Sequence, residues 1–156
     1  MSVLNKIIVF CLLVASLSGY YSSCSSPVGE TGYRLVKVID GDTVQLRTPA
    51  GEVIKVRHIG IDCPERGEPL YYFALKTNRR LLKGKRITLE FDKKLHDSYR
   101  RTLAYVYADE LMVNAELIRL GCARLYFDRD NKKYLPLFLK MLEEAQRHRR
   151  GLWGKE

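Results

Sequence analysis

The chain has 156 residues, and its 27 Lys and Arg against 18 Asp and Glu give a formal charge of +9. That length fits one domain, and 46% hydrophobic with 29% charged residues excludes wholesale disorder. Four cysteines are too few for a disulfide scaffold, and the positive charge favours nucleic acid, an anionic membrane or another polyanion as partner.

The N-terminal segment predicts export. One lysine and no acid precede an apolar run over residues 7–17, and small polar residues follow as far as Cys24. This order is typical of a secretory signal peptide, here residues 1–24. The run is shorter than the roughly 20 residues that span a bilayer, so a membrane anchor is the weaker interpretation.

The point of cleavage has two interpretations. Cys24 lies among serines before Pro27, which resembles a bacterial lipoprotein site, although Tyr21 stands where that site has an aliphatic residue. Lipidation of Cys24, with attachment to a membrane, and ordinary cleavage over residues 18–24 both remain open. Removal of this segment takes away only one charged residue, so the basic character belongs to the domain.

A linker and one folded domain follow. Residues 25–32 are rich in Ser, Pro and Gly and predict a linker, and the domain is predicted over residues 33–154. Only Cys63 and Cys122 lie within the domain. Export would place them in an oxidising compartment, where they could pair, but the sequence does not show whether they are close.

Strand and helix patterns alternate along the domain. β-Branched and alternating residues predict strands over 34–39, 43–47, 53–61, 86–91 and 103–107. Apolar residues at helical spacing predict helices over 68–83, 113–120 and 134–150. Five short strands with a helix after the third favour an α+β fold, a five-stranded OB-type β-barrel with three α-helices.

Three local features accompany these elements. Asp40-Gly41 predicts either a two-residue hairpin turn or a bulge within one long strand. Asn114 is a candidate N-cap of the second helix. The predicted apolar face of the first helix comprises Leu70, Phe73, Ala74, Leu81 and Leu82, and that of the third comprises Leu135, Phe138, Met141, Leu142 and Ala145.

Acids and arginines concentrate in three clusters, over residues 39–44, 57–65 and 97–105. Each cluster alone is typical of a turn, a solvated loop or surface charge. Together they supply what phosphodiester hydrolysis needs: arginines that bind phosphate oxygens, and a carboxylate that activates water. Asp42, Asp62 and Glu65 also offer hard oxygen ligands suited to calcium, to which the backbone carbonyl of Cys63 could add another.

These clusters resemble the staphylococcal nuclease (thermonuclease) family. The matching stretches are 39–44, 57–65, 99 with 101–107, 112–114 with 117–121, and 144–145 with 150–153. The resemblance covers nearly the whole domain and implies an OB-type barrel with three helices. It also implies Ca²⁺-dependent cleavage of DNA and RNA that leaves 3′-phosphate ends.

The resemblance implies a role for each matching residue. Asp42 and Asp62 fall where the family binds Ca²⁺ through side chains, Cys63 where a backbone carbonyl contributes, and Glu65 where a general base is proposed, contacting the metal through water. Arg57 and Arg101 match the phosphate-binding arginines, and Tyr99 a tyrosine of the nucleotide pocket. Arg100 stands in place of a frequent Gly and could crowd its loop or add phosphate affinity.

Other residues favour structural interpretations. His58 is predicted to be structural, His96 and His148 to lie on the surface, and Trp153 to pack at the end of the third helix. Among the aromatics of the pairs at 71–72 and 126–127, Tyr126 is the best candidate for stacking on a base. No zinc spacing is present.

Three classes of function compete. An exported, Ca²⁺-dependent monomeric nuclease with no protein partner is favoured by the complete set of acids and arginines. A non-catalytic module that binds single-stranded nucleic acid at the cell envelope is the alternative, because small barrels often bind strands through basic grooves. An envelope-anchored structural domain is the third, supported only by Cys24 and the basic surface.

Overall fold

The computed structural model describes residues 32–126 and 129–154. The predictions about the signal peptide, Cys24, the linker up to residue 31 and Phe127 therefore lie outside the described residues.

Strands and helices follow the predicted order, with three additional two-residue strands. The strands are β1 Arg34–Val38, β2 Thr43–Arg47, β3 Val53–His58, β4 Ile61–Asp62, β5 Ile87–Glu90, β6 Thr102–Ala108, β7 Leu111–Met112 and β8 Arg124–Leu125. The helices are α1 Tyr71–Leu82, α2 Val113–Arg119 and α3 Leu135–Arg147, and a 3₁₀ turn follows over Gly151–Trp153. The α+β class and the three α-helices are thus confirmed.

The main sheet runs in the order β1-β2-β3-β6-β5, and β7 also pairs with β6. The β3–β6 pair is parallel, whereas the other pairs are antiparallel. A single bridge, in which the Tyr33 amide donates to the Ile87 carbonyl at 2.8 Å, joins the two edges of this sheet. No continuous ladder closes it among the described strands, so the OB-type barrel is open at this seam.

The core lies between this sheet and the three helices. Its largest fully buried side chains include Tyr105, Phe138, Leu46 and Ile61. Most of the predicted face of α3 is confirmed, because Phe138 and Ala145 are buried and Met141 and Leu142 pack against the core. Leu135, at the start of the helix, is only partly buried. The side chains of the candidate site described below therefore stand on a well-packed support.

The segment between β1 and β2 is a turn longer than either prediction. Val38 pairs with Val44, residues 39–42 form the turn, and the bulge lies further back, between Leu35 and Lys37. Only glycine fits at position 41, because no room is left there for a side chain. A Cβ on Gly41 would lie 2.5 Å from the Cβ of Cys63 and 2.8 Å from that of Ala74. The turn therefore presses directly on α1 and on the segment after β4.

The structure corrects two local predictions. Asn114 is not a cap; it lies inside α2, fully buried, and its side chain bonds to the backbone of Ile59, Ala104 and Val106. The third strand ends at His58, not at residue 61, because Gly60 adopts φ +80° and turns the chain. Ile61–Asp62 instead pairs with β8.

Helix α1 buries a different face from the predicted one. Ala74 and Leu82 are buried as predicted, but Leu70 and Phe73 are exposed and Thr77 and Asn78 are buried in their place. The helix begins at Tyr71, because Leu70 has φ 66° and lies outside it. The Asn78 side chain donates to the Asp40 carbonyl at 3.3 Å, which explains a buried amide on this face.

Cys63 and Cys122 are both buried free thiols, so the disulfide considered from the sequence is not formed. None of the described helices is long and apolar enough to cross a membrane.

Candidate active site

A cleft of about 360 Å³ opens between the end of β3, the segment after β4 and the loop that precedes β6. Its lining includes Arg57, Asp62, Glu65, Tyr99, Arg101 and Tyr126. Residues from three distant segments of the chain therefore meet in one place, as the three clusters in the sequence suggested. Asp42, Cys63 and Arg100 do not line this cleft.

Asp42 lies behind the cleft wall and is 6% exposed. One carboxylate oxygen accepts the Cys63 amide at 2.7 Å, and the other accepts the Thr43 hydroxyl at 3.2 Å. The second oxygen also forms an ion pair with Arg57, whose Nε lies 3.2 Å away. Burial raises the pKa of Asp42 to about 7, with Arg57 opposing the rise and Asp40 adding to it. The carboxylate is thus rigidly held and short of positive charge.

Arg57 joins the two predicted calcium ligands. Its guanidinium reaches Asp42 through Nε and Asp62 through a terminal nitrogen at 3.0 Å, and the other terminal nitrogen donates to the carbonyls of His58 and Ile61. The side chain is only 12% exposed. Its orientation on the cleft wall is therefore fixed by several bonds, as a phosphate-binding arginine requires.

Glu65 lies at the edge of the cleft and is exposed. Its amide donates to the Glu68 carboxylate at 2.7 Å, and its carbonyl accepts the Glu68 amide at 2.9 Å. These bonds close a tight turn that holds the backbone of Glu65 while its own carboxylate stays accessible to water.

The donor set fits a hard divalent cation. No group of three or more His, Cys, Asp or Glu side chains converges on a metal position within residues 32–126 and 129–154. Asp42, however, carries a pKa raised by burial and by the neighbouring Asp40 and Asp62, despite Arg57. A cation beside these acids would offset that cost, and carboxylate oxygens are the ligands that Ca²⁺ prefers. Burial raises the pKa of the Cys63 thiol well above its usual value, which leaves only the backbone of that residue as a ligand.

Arg101 is held from the loop before β6. Its Nε–H donates to the Asp97 carboxylate at 2.6 Å, and the other carboxylate oxygen accepts the amides of Arg101 and Tyr99 at 2.9 and 3.0 Å. Burial raises the pKa of Asp97, but the hydrogen bonds and the charge of Arg101 lower it by more, so that the net pKa lies below its usual value. The terminal nitrogens of Arg101 make no hydrogen bond to a described residue and are free to bind phosphate.

The aromatic candidates flank this arginine. Tyr99 is 80% exposed, and its ring lies 5.4 Å from the Arg101 guanidinium; Tyr126 is 60% exposed on the cleft lining. Both present a face on which a base could stack. Arg100 is exposed and adopts φ 62°, which explains why a glycine is frequent at this position.

Two residues that support the site were missed from the sequence. In the sequence, Asp97 appears only as a member of a charged cluster. Aspartate is, however, a residue type whose side chain often accepts the backbone amide two residues later and so forms a turn, as Asp97 does with the amides of Tyr99 and Arg101. Asn131, 3% exposed, exchanges two hydrogen bonds with the backbone of Lys94 and so anchors the start of the same loop. No local pattern marks Asn131, because its partner lies 37 residues away.

The structural interpretations are confirmed for the histidines. His58 is 1% exposed, and burial followed by the Arg57 charge lowers its pKa to about 3, so its ring is neutral. His96 and His148 are exposed. Trp153 lies in the 3₁₀ turn that packs against α3.

Comparison with known proteins agrees with this arrangement. A family model described as "Staphylococcal nuclease homologue" matches residues 55–155 and so includes every residue discussed above except those of the β1–β2 hairpin. The chain is 34% identical to a thermonuclease of Staphylococcus hyicus, over 97% of this chain and 94% of that protein. It is 34% identical to a thermonuclease of Staphylococcus intermedius, over 88% and 84%, and 37% identical to an uncharacterized endonuclease of Haemophilus influenzae, over 78% and 65%.

Proposed function

The chain belongs to the staphylococcal nuclease family and is a nuclease, and from that premise we propose that it is exported and cleaves DNA and RNA with Ca²⁺ to leave 3′-phosphate ends. The observation that carries this proposal is the meeting of Arg57, Glu65 and Arg101 on one cleft, with Asp42 and Asp62 bound to the first of them. This set of groups matches the needs of water attack on a phosphodiester.

We infer that Asp42, Asp62 and the Cys63 carbonyl hold the metal, with Glu65 contacting it through water. When bound, Ca²⁺ would supply positive charge next to the phosphate. The pKa of Asp42, raised to about 7 by burial and by neighbouring acids, supports this inference. The ion pairs of Arg57 show how the protein partly neutralises the same acids with its own cation.

The chemical step follows from the remaining groups. The exposed Glu65 carboxylate takes a proton from water, whose oxygen forms a bond to phosphorus while the bond from phosphorus to O5′ breaks. Arg57 and Arg101 donate to the phosphoryl oxygens, on which negative charge grows, and both are oriented beforehand by carboxylates. The departing O5′ takes a proton from solvent water and becomes a 5′-hydroxyl, the proton on Glu65 returns to solvent, and the phosphate stays on the 3′ end.

Substrate contacts would come from the rim of the cleft. Tyr99 and Tyr126 offer exposed rings to a base, and Arg100 offers an exposed guanidinium to a neighbouring phosphate. Export is proposed from the apolar run over residues 7–17, with Cys24 as the lipid attachment point if it is modified. The enzyme is proposed to act as a monomer.

A cleavage assay tests this function. The purified protein is incubated with single-stranded DNA, with Ca²⁺ or with EGTA, beside Glu65→Gln and Arg57→Ala. We expect Ca²⁺-dependent cleavage that falls about 10²-fold or more in each variant. Glu52→Gln and Arg47→Ala, exposed on the neighbouring hairpin, are matched controls that should keep full turnover.

The products and the variants decide among the alternatives. Ends that a polymerase extends only after phosphatase treatment identify the 3′-phosphate. Normal turnover in folded Glu65→Gln and Arg57→Ala would contradict the assigned roles. Retained DNA binding without any cleavage would instead support the non-catalytic binding module.

A further inference from the structure

Helix α1 carries a basic face that the active site does not use. Lys76, Arg79 and Arg80 of α1 and Lys83, the residue that directly follows the helix, are all exposed, and with Tyr72 they recur at spacings of three and four residues. Residues at such spacing share one side of a helix. The opposite side holds the buried Ala74, Asn78 and Leu82. We call the four cations the basic face of α1.

This face has no acidic partner among the described residues. The stretch from residue 69 to residue 89 contains no Asp or Glu. Within the described part of the chain none of the four side chains forms an ion pair, whereas Lys85, Arg119, Lys133 and Arg147 each pair with a carboxylate. An unpaired row of four cations on one helix costs self-repulsion, and an external polyanion would offset it.

The basic face lies close to the catalytic hairpin without lining the cleft. Asn78 on the buried side of α1 bonds to the Asp40 carbonyl, and Ala74 packs where Gly41 leaves no room for a Cβ. The metal-binding turn is therefore in contact with one side of this helix. The other side is about 10 Å away, the thickness of a helix, which a strand of a few nucleotides spans.

We propose that the basic face of α1 is a second binding surface for the sugar–phosphate backbone of the substrate, distinct from the cleft. The proposal rests on the nuclease function above and extends it to long polynucleotides. The four cations span about 10 Å along the helix, which corresponds to about three phosphates of one strand. Tyr72, 68% exposed beside them, offers a ring for stacking and favours nucleic acid over a simple counterion layer.

Binding measured without metal separates this proposal from catalysis. A fluorescent single strand of 20 nucleotides is titrated in EDTA, at several salt concentrations, with the whole protein. The test variant changes Lys76, Arg79, Arg80 and Lys83 to Gln. We expect affinity to fall about 10-fold or more at 0.1 M salt and the salt-dependence slope to fall by about 2 to 3, since each lost phosphate contact removes about 0.7.

A control variant removes the same charge elsewhere. This control changes two lysines and two arginines, as the test variant does, at exposed positions outside α1: Arg47, Lys55, Lys140 and Arg149. Their change to Gln should alter the slope by less than about 1. Arg79→Lys with Arg80→Lys keeps the charge and should keep the binding, which guards against a loss caused by unfolding of the helix.

Cleavage kinetics add a second readout. The test variant should lose about 10-fold in kcat/KM on long single-stranded DNA, mainly in KM, and keep full turnover on a dinucleotide that cannot reach α1. If the wild type binds through α1 but cleaves nothing, the proposed function fails and this surface stands. Equal salt-dependence slopes for the test and control variants would contradict the proposal that this face binds nucleic acid. If, in that case, only the test variant has lost its binding to anionic vesicles, the basic face binds a membrane instead.

Discussion

At the scale of single residues, the two arginines proposed to bind phosphate are both positioned by carboxylates, but by different means. The Arg57 side chain is 12% exposed and lies between Asp42 and Asp62, whereas Arg101 is 28% exposed and pairs, among the described carboxylates, with Asp97 alone. The bond to Asp97 uses Nε and leaves the two terminal nitrogens without a hydrogen bond to that carboxylate. Asp97 is therefore a positioning residue for Arg101.

Changing Asp97 to Asn should separate this role from simple stability. The amide oxygen of Asn can still accept the backbone amides of Tyr99 and Arg101, but the charged bond to the guanidinium is lost. We expect kcat to fall about 10-fold or more, because a misplaced group near the reaction is costly. Since the amide of Asn keeps the backbone hydrogen bonds, loss of this partly exposed ion pair should change the free energy of unfolding by only about 1 kcal/mol.

A double-mutant cycle with Arg101→Ala checks the mechanism. If Asp97 acts through Arg101, adding Asp97→Asn to Arg101→Ala causes no further loss of kcat. Independent, additive losses would show that Asp97 serves the reaction by another route.

Arg100 combines a strained backbone with a useful charge. Its φ of 62° lies in the left-handed region that glycine adopts without cost. Arg100→Gly should therefore raise the free energy of unfolding by about 0.5–1 kcal/mol, and Arg100→Ala, which keeps the strain, should not. Urea unfolding of both variants measures this difference.

The same pair of variants tests the charge. Both lose the guanidinium, so both should weaken DNA binding equally, with a salt slope smaller by about 0.7. Equal stability of the Gly and Ala variants would rule out backbone strain as the reason for the frequent glycine.

At the scale of elements, the β1–β2 hairpin is shaped by its contact with α1. A turn does form at Asp40-Gly41, although it is longer than predicted, and its conformation is set by Cys63 and Ala74, which are distant in sequence. Asp40 completes the turn, because its side chain accepts the Asp42 amide at 3.0 Å. The position of Asp42 thus depends on how closely α1 and the segment after β4 approach Gly41.

Gly41→Ala should disturb both stability and catalysis. The added Cβ would lie 2.5 Å from the Cβ of Cys63 and 2.7 Å from its sulfur, so the turn must shift. Overpacking of this kind costs about 1–3 kcal/mol, and the shift of Asp42 should lower kcat at least about 10-fold.

Gly51→Ala provides the control for this prediction. Gly51 has φ 90° with open space around it, so an Ala there is strained but far from the cleft. It should lose stability and keep its turnover. Equal kcat for Gly41→Ala and Gly51→Ala would show that packing at Gly41 does not position Asp42.

The elements also show what the sequence could predict. Strands β2, β5 and β6 and the apolar face of α3 follow from local periodicity, which a sequence displays directly. The burial of the Asn78 and Asn114 side-chain amides could not be predicted from the sequence, because their partners are backbone groups up to 55 residues away. A polar residue at helical spacing indicates a solvated face or a cap until its distant partner is known.

The sequence indicated which residues meet at the cleft more readily than which residues support them. Arg57, Glu65 and Arg101 were assigned through their resemblance to known motifs, and the structure places all three on one cleft. Asp97 and Asn131 hold the loop in place, and only the folded chain shows what they contact.

At the scale of the whole molecule, a buried neutral histidine links the fold to pH. Both ring nitrogens of His58 are buried and have no hydrogen-bond partner in the described structure. Burial, with the Arg57 charge second, lowers the pKa of His58 to about 3, whereas the unfolded chain titrates near 6.5. Below pH 6.5 the unfolded chain therefore binds one proton more than the folded protein, and stability falls as the pH decreases toward 3.

His58→Leu should remove this acid sensitivity. At pH 4.5 the proton bound only by the unfolded chain costs the wild type about 2.5 kcal/mol of unfolding free energy, and at pH 7.5 almost nothing. An apolar side chain of similar size neither titrates nor leaves buried nitrogens without partners. The difference in unfolding free energy between the variant and the wild type should therefore be about 2.5 kcal/mol more favourable to the variant at pH 4.5 than at pH 7.5. Urea unfolding of both proteins at each pH measures this difference.

The comparison isolates one group, because other acids and bases titrate alike in both proteins and cancel in the difference. A fixed cost of repacking around Leu changes the unfolding free energy of the variant by the same amount at both pH values, so it also cancels. Parallel stability curves for the two proteins would mean that His58 keeps an ordinary pKa in the fold. A curve for His58→Leu that flattens between pH 6.5 and 4.5 would show that a residue beside the phosphate-binding Arg57 limits the acid stability of the whole domain.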